Sequence, residues 1–204
     1  GGGVGATLGL NGVPYAVHDP GGQGIRVQVG TTGQQSTDYA DAIPGCCAYS
    51  PNIATDQVTG QVWVAWYSSS DDPQDSSKCY CGVYAQQVDL TTGNPIGTPI
   101  RMPGSASIFE GSEASSQMTG RVPMTARVGG DIYIAYPTGY SYANTNRLRL
   151  WKIGASGPAA SSTVVESVGE LSSLDDAALA ADPDGGIWVV WSFGDSVFAV
   201  ESDP

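Results

Sequence analysis

One pattern is written four times along this chain: a turn that feeds a short apolar strand. It is clearest at Asp182-Pro183-Asp184-Gly185-Gly186, which opens into Ile187-Trp188-Val189-Val190-Trp191. It returns at Thr59-Gly60-Gln61 before Val62-Trp63-Val64-Ala65-Trp66, and at Gly129-Gly130-Asp131 before Ile132-Tyr133-Ile134-Ala135-Tyr136. A fainter copy is Asn11-Gly12 before Val13-Pro14-Tyr15-Ala16-Val17. A repeat of one turn and several short strands, at intervals too long for a solenoid coil, points to radially arranged four-stranded sheets. The expected fold is all-β: a β-propeller of four-stranded antiparallel blades, with about four blades present and the last incomplete.

The copies place one domain over residues 1–204, with blades at about 6–42, 48–103, 121–168 and 176–204. The first blade takes strands at 6–10, 13–17 and 25–29, with a weak fourth within 34–42. The second takes 52–55, 62–67, 83–88 and 96–102. The third takes 123–128, 132–136, 148–153 and 162–168. The fourth takes 177–181, 187–191 and 197–200, and lacks its outer strand. The second strand of each blade is apolar at nearly every position, as expected of a strand covered on both faces. Trp63, Trp66, Trp188 and Trp191 recur with the blades and are expected in the core between them. Val, Ile, Tyr, Trp and Thr dominate these segments and no stretch repeats at helical spacing, which disfavours helix. A β-sandwich also has short, regularly spaced strands, but it needs no sequence repeat.

Lys and Arg number 8 against 20 Asp and Glu, a net charge of −12. Nucleic acid is therefore not expected as a partner, since binding it takes a cationic face. Apolar residues come in short runs, so no membrane span is expected. The chain opens on Gly, without Met or a basic segment followed by an apolar one, and its start is expected to be a processing boundary.

Four cysteines form two tight pairs, Cys46-Cys47 and Cys79-Tyr80-Cys81. Zinc is disfavoured because adjacent Cys46 and Cys47 depart from the usual ligand spacing. Two disulfides, and with them an extracellular, secreted protein, are the expectation. Cys46 and Cys47 precede the first strand of the second blade and Cys79 and Cys81 precede its third, which puts all four at one end. Both cross-pairings stay open, with a vicinal Cys46–Cys47 bridge as the third connectivity.

In a four-stranded meander the first and third turns fall at one end and the remaining connections at the other. Here the second set is long, at 68–80, 103–120, 137–146 and 169–176, and collects on one face. Within it, Tyr140, Tyr142 and Asn144 combine aromatic faces with polar groups suited to a sugar or peptide. Glu110 and Glu113 are candidate acid and base of a glycosidase. Asp71, Asp72 and Asp75 form an oxygen-rich cluster able to take calcium. His18 is the only histidine and no Gly-x-Ser-x-Gly elbow accompanies it, so it reads as structural. There is no phosphate-binding Gly-x-x-x-x-Gly-Lys loop.

At Asn52 to Trp66 and Ala177 to Trp191 the chain resembles the repeats of sialidase-like, BNR-type β-propellers. The Asp box of that group is not kept: after Asp56 the glycine comes only at Gly60. The resemblance implies an arginine triad for a substrate carboxylate, a Tyr–Glu nucleophile pair and an acid/base Asp. Arg121-Val122-Pro123 is similar to the element supplying the first arginine, which makes Arg121 a ligand-binding candidate. Arg26, Arg101, Arg127, Arg147 and Arg149 sit in or beside predicted strands and read as blade-edge residues.

The functional expectation is an extracellular propeller presenting a loop-rich face to carbohydrate or another cell-surface ligand. The enzyme alternative is a sialidase-like glycoside hydrolase. The third reading is an assembly role, in which a second copy or a partner chain completes the propeller, since only the Gly-rich residues 1–4 are at hand to close the last blade.

Overall fold

The computed structural model describes residues 3–21, 24–43, 47–72, 74–105, 120–139, 145–154, 156–166, 174–193 and 195–202. Among these residues fourteen strands form four separate antiparallel meanders. Sheet 1 holds β1 (Val4–Leu8), β2 (Pro14–His18) and β3 (Arg26–Val29). Sheet 2 holds β4 (Ala48–Thr55), β5 (Val62–Asp72), β6 (Asp75–Val88) and β7 (Pro95–Arg101). Sheet 3 holds β8 (Met124–Ala126), β9 (Ile132–Gly139), β10 (Thr145–Ile153) and β11 (Ala159–Glu166). Sheet 4 holds β12 (Leu174–Ala181), β13 (Ile187–Phe193) and β14 (Ser196–Ser202). Among the described residues there is no α-helix, and no helix is long and apolar enough to cross a membrane.

The sheets stack face to face because neighbouring residues of one strand point to opposite sides. On β5, Val62, Val64 and Trp66 join Tyr15 and Val17 of β2 in one buried cluster. The alternate residues Trp63, Ala65 and Tyr67 join Ile132, Ile134 and Tyr136 of β9 in the next. On β9 in turn, Tyr133 and Ala135 meet Ile187, Val189 and Trp191 of β13. Sheets 2 and 3 are thus covered on both faces, and residues 62–67 and 132–136 of their second strands are apolar at every position for that reason. Trp66 is fully buried, stacked on Tyr84 at 6.0 Å and edge-on to Tyr39 at 6.1 Å. Trp188 corrects the sequence reading. It is 39% exposed, with its indole N–H donated to Asp182 Oδ2 at 3.1 Å, because it points away from sheet 3.

The first strands touch in succession, β1 on β4, β4 on β8 and β8 on β12, so they line the inside of an arc. Among the described residues no comparable contact joins β12 back to β1, and the arc is open.

Two segments differ from expectation. In place of a fourth strand within 34–42, sheet 1 gains a single bridge from Gln28 to Gln35 and a 3₁₀ turn, Tyr39–Ala42. Polar side chains compete for the backbone there: Ser36 Oγ accepts from Val27 N–H, and Asp38 Oδ1 accepts from Ile25 and Ala40 N–H. The expected loop 68–80 is a hairpin instead, since β5 and β6 stay paired from Ser68↔Gly82 out to Asp72↔Asp75. Its serines and aspartates form no apolar row, so the strand signal is carried by backbone hydrogen bonds alone. Cys79 and Cys81 consequently lie inside β6 and do not precede it. Cys47 and Cys81 are each disulfide-bonded, while Cys46 and the Cys79 side chain lie outside the described residues.

The repeated turn keeps one backbone frame. Gly9, Asp56, Arg127 and Asp182 each donate N–H to a carbonyl across the turn, on Val13, Gln61, Asp131 and Gly186. Just before each of those acceptors stands Gly12, Gly60, Gly130 or Gly185, all at positive φ. Successive turns also touch. A Cβ on Gly130 would sit 3.1 Å from Val58 Cγ2, so glycine there permits both the turn and the approach of its neighbour. Asp56 ties the two: Oδ1 accepts from Val58 and Thr59 N–H at 2.8 and 2.9 Å, and Oδ2 accepts from Asp131 N–H of the next sheet at 3.1 Å.

Burial disfavours the charged Asp56 carboxylate, but the amide donors of Thr59, Val58 and Asp131 outweigh it and hold its pKa below the usual carboxylate value. A pKa lowered by folding gives stability that is present above the unfolded value and lost as pH falls through the folded one. Asp56→Asn is expected to lower stability at neutral pH by about 1–3 kcal/mol. The gap from wild type should close below about pH 4. Urea unfolding of both proteins across that range checks it, and parallel curves would contradict it.

Candidate axial binding cleft

Between the inner strands β4, β8 and β12 lies a cleft of about 230 Å3, lined by Asn52, Arg121 to Met124, and Ala177 to Leu179. Its shape follows from small side chains on β12, Ala177 and Ala178, which leave room where a larger row would fill the axis. The segment before β8 is fixed on both sides. Val122 donates N–H to Ser50 O at 3.0 Å and accepts at its own carbonyl from Asn52 Nδ2 at 2.9 Å.

That anchoring sets Arg121, the one charged side chain among the described residues of the cleft. It is exposed, and its Nη1 donates to Val4 O of β1 at 2.8 Å. A guanidinium carries five N–H donors in a rigid fork, so one bond holds the group while the others stay available to a ligand. Arg121 therefore lies in this cleft between the inner strands. Asn52 was not singled out: it reads as the first residue of the expected strand 52–55, and one amide beside Ile53 and Ala54 was its only signal.

The other candidates do not converge on the cleft. Arg127 lies beside Gly185 at the turns. Arg149 lies near Tyr136, whose pKa is raised by burial and only partly restored by that charge. Arg26 and Arg101 are exposed, and the Arg147 side chain lies outside the described residues. No arginine triad is assembled among the described residues of the cleft. Tyr39 and Tyr84 also have pKa values raised by burial, and burial pushes Tyr49 up to about 12. That is opposite to what activates a phenol as nucleophile.

Glu110, Glu113, Tyr140, Tyr142 and Asn144 lie outside the described residues. Asp72 and Asp75 pair at the tip of the β5–β6 hairpin with Asp71 beside them, but the side chains of Asp71 and Asp72 are outside the described set. No group of three or more His, Cys, Asp or Glu able to hold a metal occurs among the described residues. His18 is half-buried at the end of β2, paired with Val4 and Arg26.

No protein-family model and no curated protein matches the chain. Solved structures do. A GH43_1 enzyme from Xanthomonas citri complexed with xylose superposes with a TM-score of 0.59 at 13% identity, over 98% of this chain and 69% of that one. A family 43 arabinoxylan arabinofuranohydrolase from Bacillus subtilis, in complex with cellotetraose, gives 0.53 at 10%, over 93% of this chain and 42% of that one. The Hadza microbial sialidase Hz136 gives 0.56 at 13%, over 98% and 43%. The chain thus spans less than half of the last two. The likeness shows the fold, an all-β arrangement of antiparallel sheets of the β-propeller kind.

Proposed function

We propose that the chain is a carbohydrate-binding β-propeller protein, built of four blades with the last lacking its outer strand, whose axial cleft takes the ligand. Arg121 carries this reading, because an exposed guanidinium anchored by one bond offers its remaining donors beside Asn52, in the one charged position among the described residues of the cleft. Donors of that kind suit sugar hydroxyls or a sugar carboxylate. The structural neighbours, acting on or holding xylose, cellotetraose and arabinoxylan, or called sialidase, support a saccharide as the ligand class. The second reading is a glycoside hydrolase of the sialidase or GH43 kind, favoured by the same neighbours, with Glu110 and Glu113 as its candidate carboxylates. A glycan array followed by calorimetry, run beside a panel of chromogenic xylosides, arabinofuranosides and sialosides, separates the two. Binding without turnover, weakened about tenfold or more by Arg121→Ala, is the expected result. Turnover abolished by Glu110→Gln or Glu113→Gln would make it an enzyme, and saccharide binding untouched by Arg121→Ala would remove the axial site.

We further propose that the protein acts outside the cell, with its cysteines bridging the start of β4 to the β5–β6 hairpin. Ser69 stands between them: it donates N–H to Cys47 O at 3.0 Å and pairs with Cys81. A cross-bridge needs Cys47 to leave the sheet, since two strand spacings, about 9.5 Å, exceed the reach of a disulfide. Cys47 stands just outside β4 at a φ of 78°, the point from which the chain has to turn for such a bridge to form. Non-reducing peptide mapping is expected to join the 46–47 peptide to the 79–81 peptide, and reduction to cost about 2–4 kcal/mol per bridge. Free thiols, or bridges confined to each pair, would contradict it.

A further inference from the structure

Each buried contact between sheets follows one rule. The earlier sheet offers an aromatic followed by a smaller residue at alternate positions of its second strand: Tyr15 and Val17, Trp63 and Ala65, Tyr133 and Ala135. The later sheet answers with two aliphatics and then an aromatic: Val62, Val64 and Trp66, then Ile132, Ile134 and Tyr136, then Ile187, Val189 and Trp191. Sheet 4 repeats the first format on its other side, with Trp188 followed by Val190. Register pairs place Ala178, Ala180, Val197 and Ala199 on that same face. The face is uncovered: Trp188 is 39% and Val197 74% exposed.

The free face of sheet 1 does not carry the answering format. It presents Pro14, Ala16 and His18 on β2, where the rule calls for aliphatic, aliphatic and aromatic. Neither ring closure onto sheet 1 nor the sheet 1 of a second copy reproduces the contact made three times inside the molecule. We propose that the Trp188 face of sheet 4 is the docking surface for one further antiparallel sheet, not among the four formed by the described residues, whose second strand presents an aliphatic–aliphatic–aromatic row. The contact continues the stacked interfaces of sheets 1 to 4, and it buries the largest exposed aromatic of the molecule.

A sheet of that chemistry can be supplied from the protein's own sequence. Residues 120–166, which contain no cysteine and carry Ile132, Ile134 and Tyr136, are appended after residue 204 through a short Gly/Ser linker. Trp188 emission is isolated by subtracting Trp188→Phe counterparts, and its acrylamide quenching is measured with and without the extension. The expected result is a severalfold fall in quenching and a rise of more than about 4 °C in the unfolding midpoint. Trp188→Asp should erase that rise while leaving the unextended chain within about 2 °C of its own midpoint. An appended copy with Ser at its three row positions should give no protection. Unchanged quenching in the extended chain would overturn the proposal. So would protection already present in the unextended chain, because concentration-dependent protection makes a second copy the occupant and concentration-independent protection makes it the chain's own sheet 1.

Discussion

The structure depends on burying both faces of β5 and β9. A strand that alternates Val62, Val64 and Trp66 on one side with Trp63, Ala65 and Tyr67 on the other has no solvent face to give up. It is stable only between two other sheets. The same holds for β9, and this requirement makes the sheets stack in series where a sandwich would pair them once. Deleting one of the large side chains leaves a cavity that rigid neighbouring sheets cannot close, at about 3–5 kcal/mol for a buried Trp or Phe cut to Ala.

The turns adapt the series to an arc. Each turn contacts the next, as Leu10 approaches Gly60, Val58 approaches Gly130, and Arg127 approaches Gly185. Asp56 converts one of these approaches into hydrogen bonds by accepting from its own turn and from Asp131 of the next sheet. The third strand of sheet 2 ends in a related turn, where Asp89 accepts from Thr91 and Thr92, and where Tyr15 of sheet 1 and Tyr39 of the 3₁₀ turn donate to Leu90 and Gly93 carbonyls. One end of the arc is therefore tied from sheet to sheet. The inner strands are left to shape the axis, and the small residues of β12 and the anchored Arg121 define the cleft there.

Much of the fold was legible because burial writes itself into apolar patterning. The second strands were found at Val62, Ile132 and Ile187, the first residue of each observed strand. The β5–β6 hairpin beyond Ser68 was not, since Ser68, Ser69 and Ser70 pair through backbone groups that every residue type carries. Sidedness was also hidden: Trp188 and Trp191 look equivalent in the sequence, and only the absence of a sheet on one side separates an exposed indole from a buried one. Of the residues that line the candidate cleft, Arg121 was singled out through a three-residue resemblance. Asn52 was not, because its role comes from a register that brings β4 beside the segment before β8, and no local pattern encodes that.

Two-sided burial predicts an uneven distribution of stability, because a strand covered by two sheets opens only when the whole stack does. Native-state hydrogen exchange followed by NMR measures this strand by strand. Amides of β5 and β9 are expected to exchange slowest, at the rate of global unfolding, with β2 and β13, each covered on one face, opening at lower free energy. Protection of β13 equal to that of β5, or a uniform profile across the four sheets, would contradict the account.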